Sequence, residues 1–266
     1  MAKTIAIVNQ KGGVGKTTTC VNLAAALTGL GCKILVCDFD PQGNATSGFG
    51  VDKTTVSPNI YDVLINGAEP DRAVVHTQWA DVLPANKSLS GATVELITLD
   101  RREFRLKDAL ADLAPRYDFV LIDCPPSLEL LTLDSLCAAD SLLVPVQCEY
   151  YALEGLSDLL YTVRLAKRSL NPGLELEGVV LTMYDGRTNL SMQVAEEVKR
   201  HFPGKVYASV IPRNIRLSEA PSHGKPVNAY DSLSRGAEAY AALAAEVLAQ
   251  NRDSVPSRTA VSRETF

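Results

Sequence analysis

What this chain has little of narrows its class first. No apolar run approaches the ~20 residues that a membrane-crossing helix needs. No basic-plus-apolar leader precedes the first strand-like segment at residue 5, so a soluble cytoplasmic protein is expected. The six cysteines, at 20, 32, 37, 124, 137 and 148, form no C-x-x-C pair. That excludes the common zinc spacings and gives no sign of a disulfide framework, so they read as reduced core thiols. Net positive charge is missing too: 26 Lys and Arg face 31 Asp and Glu, a formal charge of −5. Any nucleic-acid binding has to come from a local patch. No internal repeat is visible. What the chain does have is 266 residues of 46% hydrophobic content, ample for one large α/β domain.

The informative stretch is Asn9-Gln10-Lys11-Gly12-Gly13-Val14-Gly15-Lys16-Thr17-Thr18. It follows Ile5-Ala6-Ile7-Val8, which reads as a buried strand, and opens onto a helix ending at Gly29 or Gly31. Strand, glycine-rich loop and helix form the context of a phosphate-binding loop. Glycines let backbone N–H groups turn toward an anion, and the helix N-terminus adds free donors and a positive dipole end. Gly12, Gly13, Val14, Gly15 and Thr18 would supply the cradle. Lys16 would meet the β- and γ-phosphates, and the Thr17 hydroxyl would ligate Mg²⁺. Position 10, where the general pattern has glycine, is Gln10, and a second lysine stands at Lys11.

Lys-Gly-Gly-Val-Gly-Lys-Thr-Thr resembles the deviant Walker A loop of the partition and cell-division-site ATPases, the ParA/MinD group. The resemblance implies that Lys11 reaches across a dimer interface to the partner's ATP. It extends to Asp38-Phe39-Asp40-Pro41-Gln42, at the end of a buried strand 33–38. There it makes Asp40 the carboxylate that orients the attacking water and puts Asp38 near the metal. Asp118–Asp123, an apolar run closed by Asp123 and broken by Pro125-Pro126, fits the Walker B pattern, with Asp123 on Mg²⁺. Asn86-Lys87-Ser88-Leu89 lacks the carboxylate that a guanine site needs, which favours ATP. By resemblance, Pro212 packs near the adenine and Asn214 hydrogen-bonds it. Gln147–Gly155 resembles the segment lining the dimer face.

Between these motifs strands alternate with helices. Helices are expected at 59–65, 101–113, 130–139, 152–170, 190–201 and 235–249. Further strands are expected at 73–75, 80–84, 141–146, 176–184 and 206–211. The expected fold is an α/β P-loop NTPase, a mostly parallel sheet with helices on both faces. One domain is expected over 1–250, followed by a polar, disordered tail over 251–266. Between 199 and 225, six basic residues face one acid, while the rest of the chain carries 20 basic and 30 acidic residues. This island suits non-specific contact with DNA phosphates through Arg213, Arg216, Lys199, Arg200 and Lys225.

The resemblance to ParA/Soj-type proteins implies a homodimer in the ATP state. That dimer binds nucleoid DNA and is released when a ParB-type centromere-binding partner stimulates hydrolysis. A MinD-like division-site or cargo-positioning ATPase is the alternative. It needs a C-terminal amphipathic helix on lipid, and Pro256 interrupts this tail, so no membrane partner is expected. An iron–sulfur reductase with the same loop would need Cys124 and Cys137 at its dimer seam. An ATP-binding adaptor without hydrolysis fits poorly with both Lys16 and Asp40 present. An N-terminal helix-turn-helix is not expected, since only a strand precedes the loop.

Overall fold

In the computed structural model, residues 2–150 and 152–252 are described, with backbone alone for 152–157. The seven strands are β1 Lys3–Ile7, β2 Ile34–Asp38, β3 Val75–His76, β4 Asp81–Leu83, β5 Phe119–Asp123, β6 Ser141–Gln147 and β7 Glu175–Thr182. They form one sheet in the order β3-β4-β2-β5-β1-β6-β7. All neighbours are parallel except the β3–β4 edge pair.

Strand side chains alternate between two cores, as a doubly covered sheet requires. Ile5 and Ile7 of β1, Ile34 and Val36 of β2, and Phe119 and Leu121 of β5 enter one core. Ala6, Leu35, Cys37, Val120 and Ile122 enter the other. The first core is covered by α1 (Lys16–Gly29) and the last long helix, α5 (Arg235–Gln250). The second is covered in part by α2 (Leu130–Ala138), α3 (Ala152–Ser169) and α4 (Asn189–His201). Each fully buried Leu on these faces, such as Leu23 or Leu243, contributes ~1.5–3 kcal/mol. Thr188 and Ser234 cap α4 and α5 by accepting the N–H groups of Ser191 and Ala237. All six cysteines are buried free thiols.

Two expected elements differ. The helix expected over 101–113 is α-helical only at Arg105–Leu110, after a 3₁₀ turn at Arg102–Phe104. Arg101 has φ 55°, which no helix accepts, and the buried Asp134 carboxylate takes the Leu106 N–H at 3.0 Å. The strand expected over 206–211 pairs only through single bridges, Val179 with Val206 and Tyr184 with Pro212. Between them the Glu246 carboxylate accepts the Ala208 and Ser209 N–H groups at 2.9 and 2.7 Å. Those donors bond to a helix side chain instead of a ladder. The polar tail from 253 lies outside the described residues. No described helix is long and apolar enough to cross a membrane.

Candidate active site

Strand register brings the carboxylates together. Ile7 of β1 lies beside Asp123 of β5, and Asp123 lies beside Asp38 of β2. The glycine-rich loop leaves β1 one step beyond this row. Ligands of open α/β sheets bind at this carboxyl edge.

The loop is pinned from below and open above. Asn9 is buried; its Nδ2 donates to the Pro145 carbonyl at 2.8 Å, and its Oδ1 accepts the Lys11 N–H at 3.0 Å. Thr182, at the end of β7, donates its hydroxyl to the Val14 carbonyl at 2.8 Å. Lys16 is buried and donates Nζ to the Lys11 carbonyl at 3.1 Å. Gly13 and Gly15 take φ of 75° and 90°, which a Cβ would strain. A Cβ at Gly12 or Gly13 would meet nothing within 4 Å, so the space over the loop is empty of protein. No side chain caps α1, leaving its first N–H groups available to an anion.

The acids around Lys16 are unevenly satisfied. Asp38 is fully buried; its Oδ2 accepts the Thr46 N–H and hydroxyl, both at 2.7 Å, and its Oδ1 accepts the Asp40 N–H at 3.3 Å. Burial raises its pKa to about 6 against the pull of those hydrogen bonds. Asp40 is buried, and its Oδ1 accepts the Gln42 N–H at 2.9 Å. Asp123 stands apart: both oxygens are buried with no hydrogen-bond partner of normal geometry among the described residues. Burial first, and the Asp38 charge next, push its carboxyl far above the usual range; the nearby Thr17 hydroxyl offsets this only in part. Burial also lowers the Lys16 pKa, while Asp123 and Asp40 act to raise it. Such orphaned oxygens beside a lysine fit a hydrated divalent cation. Among the described residues no group of three His, Cys, Asp or Glu side chains could hold a metal by itself. A Mg²⁺ ion here would therefore also need phosphate oxygens and water.

A cavity of about 380 Å³ adjoins the loop. Its lining joins Gly15 and Thr18 to Thr182, Met183, Pro212 and Asn214, so residues some 200 positions apart in the chain converge. The Asn214 Oδ1 accepts the Arg216 N–H at 2.8 Å, leaving its NH₂ to donate to a bound base. Sequence reasoning missed Asn9, Thr46, Thr182 and Met183, the last strained at φ 51°. Position at a strand's carboxyl end is the signal that would have pointed to Thr182.

The basic island is less bare than its sequence suggests. Arg200 pairs with Glu197, Arg213 with Glu149 at 3.3 Å, and Arg216 with Glu219 at 2.8 Å and Asp231 at 3.2 Å. Lys199 and Lys225 are exposed and make no ion pair among the described residues. Lys11 is half-buried, and its ammonium has no hydrogen-bond or ion-pair partner among them. Leu89, in the position of the guanine-reading carboxylate, is fully buried in the core. Cys124 and Cys137 are buried as well, and burial pushes both thiols up to about 12.

Comparison with known proteins agrees with this geometry. The AAA domain family matches residues 2–176. The sporulation initiation inhibitor protein Soj of Bacillus subtilis is 58% identical over 251 residues, covering 94% of this chain and 99% of that protein. The chromosome partitioning protein ParA of Myxococcus xanthus is 51% identical, covering 97% of this chain and 92% of its own. Among solved structures, cobyrinic acid a,c-diamide synthase from Mycobacterium smegmatis with bound ADP and magnesium superposes with a TM-score of 0.83 at 38% identity. It covers 97% of this chain and 100% of that one. With the loop, the carboxylate row and near-full-length identity in agreement, the chain belongs to the Soj/ParA family of chromosome-partitioning ATPases.

Proposed function

We propose that this chain is an ATP-driven DNA-segregation switch. ATP with Mg²⁺ binds at the loop, two chains close into a homodimer, the dimer holds nucleoid DNA without sequence preference, and hydrolysis releases it. The observation that carries the reading is the buried Asp123 carboxylate, with no hydrogen-bond partner of normal geometry among the described residues, beside Lys16 and the uncapped start of α1. In this reading the N–H groups of Gly12 to Thr18 bind phosphate oxygens and Lys16 neutralises the β- and γ-phosphates. Thr17 and Asp123 would hold Mg²⁺, with Asp38 behind them. An ion held there would offset charge that builds on the phosphates during transfer. Asp40 orients the water that attacks the γ-phosphate, taking up its proton as the bond to the β–γ bridging oxygen breaks. Pro212 and Asn214 seat the adenine in the adjoining cavity.

Lys11 supplies the switch. Its ammonium, without a hydrogen-bond or ion-pair partner among the described residues, meets the γ-phosphate of the ATP on the second chain. A nucleotide shifts monomer to dimer only by its differential affinity for the two, and a cross-dimer contact to the γ-phosphate is such a difference. Arg213, Arg216, Lys199, Arg200 and Lys225 contact DNA phosphates. Pairing two chains doubles that set, and affinity rises steeply with the number of phosphates neutralised. A ParB-type partner stimulates a slow intrinsic hydrolysis, and the protein works in the cytoplasm on the nucleoid.

The test is retention on a non-specific DNA fragment with ATP against ADP. Retention is expected only with ATP, and an Asp40→Ala chain is expected to persist on the DNA. Equal retention in both nucleotides contradicts the switch.

A further inference from the structure

The loop carrying Asp40 leaves β2 and turns at Gly43 into a short helix, Asn44–Gly48. Thr46, on that helix, is fully buried. Its hydroxyl makes two bonds at once: it donates to Asp38 Oδ2 at 2.7 Å and accepts the Ala85 N–H at 2.9 Å. Its own N–H adds a second 2.7 Å bond to the same Asp38 oxygen. The other Asp38 oxygen takes the Asp40 N–H at 3.3 Å. One hydroxyl thus ties together the end of β2, the helix after Asp40, and the loop after β4. The chain between them is held as closely. Asp40 accepts the Gln42 N–H through its side chain and the Gly43 N–H through its carbonyl. Gly43 sits at φ 61°, where a Cβ would lie 2.6 Å from the Ala85 carbonyl oxygen.

We propose that Thr46 is a positioning residue for Asp40. Through Asp38 and Ala85 its hydroxyl fixes where the Asp40 carboxylate stands relative to the phosphate loop, and so sets the rate of hydrolysis but not the affinity for nucleotide. The proposal rests on the reading of Asp40 as the water-orienting group. Nucleotide affinity is independent of Thr46 because the loop has its own anchors, Asn9 on Pro145 and Thr182 on Val14. A hydroxyl is needed because the position must donate and accept together. Valine has nearly the same shape and does neither. It leaves the Ala85 N–H without an acceptor and takes one donor from Asp38.

The experiment measures ATP turnover with DNA present, and nucleotide affinity separately, for the full chain carrying Thr46→Val, Thr46→Ser, Thr46→Cys or Asp40→Ala. Thr46→Val is expected to lower kcat by ~10–100-fold, the scale of a 1 Å misplacement. KM and Kd should stay within about threefold, since positioning acts on the transition state and not on ground-state binding. Thr46→Ser, which restores both hydrogen bonds, should recover most of the rate. Thr46→Cys keeps the fold with a weaker donor and serves if the valine chain does not fold; it too should lose kcat without losing affinity. Wild-type kcat in Thr46→Val or Thr46→Cys beside an inactive Asp40→Ala overturns the assignment of Thr46. So does a serine variant as slow as the valine one. Wild-type turnover by Asp40→Ala overturns the underlying reading of Asp40 instead.

Discussion

The middle of the sheet's carboxyl edge and the segment from 206 to 231 hold charge in opposite ways. At the edge, β2, β5 and β1 run in continuous parallel register and present Asp38 and Asp123 side by side. There the buried Asp123 carboxylate has no hydrogen-bond partner of normal geometry among the described residues, only the nearby Thr17 hydroxyl. In the segment, backbone pairing shrinks to single bridges, and the arginines are matched with acids from Glu149, Glu219 and Asp231. A rigid, fully laddered backbone can hold an unsatisfied charge in place for a ligand. A loosely laddered surface neutralises its charges internally and releases them cheaply, since exposed pairs are worth only ~0–1 kcal/mol. An orphaned buried group therefore points to chemistry more surely than a count of charges along the chain.

The largest effect expected on this contrast comes from Lys16→Ala. Removing the cation among buried carboxylates should cost about 2–5 kcal/mol of nucleotide binding, roughly thirtyfold or more in Kd by titration. Affinity within threefold of wild type would place the phosphate elsewhere. A smaller effect is expected from Arg213→Glu. If the exposed pair with Glu149 opens on DNA, the substitution should weaken retention and reduce the slope of log K against log salt by about 1. An unchanged slope would mean that the paired arginine stays paired.

The smallest effect concerns Asp134, which lies away from both regions under the Arg105–Leu110 helix. Burial holds its carboxyl up at about 8, well above its value in an unfolded chain. The folded protein thus keeps a proton that the unfolded chain gives up near pH 4. The stability this supplies is full below pH ~4 and is lost as pH rises through about 8. Asp134→Asn should flatten the fall of Tm across that window, each 1 kcal/mol being worth about 2–4 °C in a chain of this size. Parallel Tm-against-pH curves for the two proteins would show that Asp134 is not titrating there.

Much of this was legible from residues alone. The loop at 9–18, the strand-ending Asp38 and Asp123, and the alternation of strand and helix follow local rules that the structure obeys. Pro212 and Asn214 meet the loop across a cavity, which spacing could not foretell. The breaks in legibility have a common cause. The 101–113 and 206–211 segments have helix- and strand-like sequences, but residues distant in the chain take backbone N–H groups there, Asp134 that of Leu106 and Glu246 those of Ala208 and Ser209. The Arg213–Glu149 and Arg216–Asp231 pairs were likewise invisible, because both acids lie outside the basic stretch; only Glu219, the second partner of Arg216, lies within it. Thr46 carries no motif signal; its importance lies in three hydrogen bonds that only the folded backbone brings together.

The most direct measurement is the solution mass, by light scattering, of wild-type and Lys11→Ala chains with a non-hydrolysable ATP analogue at saturating concentration. The account predicts that the wild-type mass doubles, while Lys11→Ala binds the analogue with similar affinity and stays monomeric. A Lys11→Ala chain that dimerises as the wild type does would contradict it.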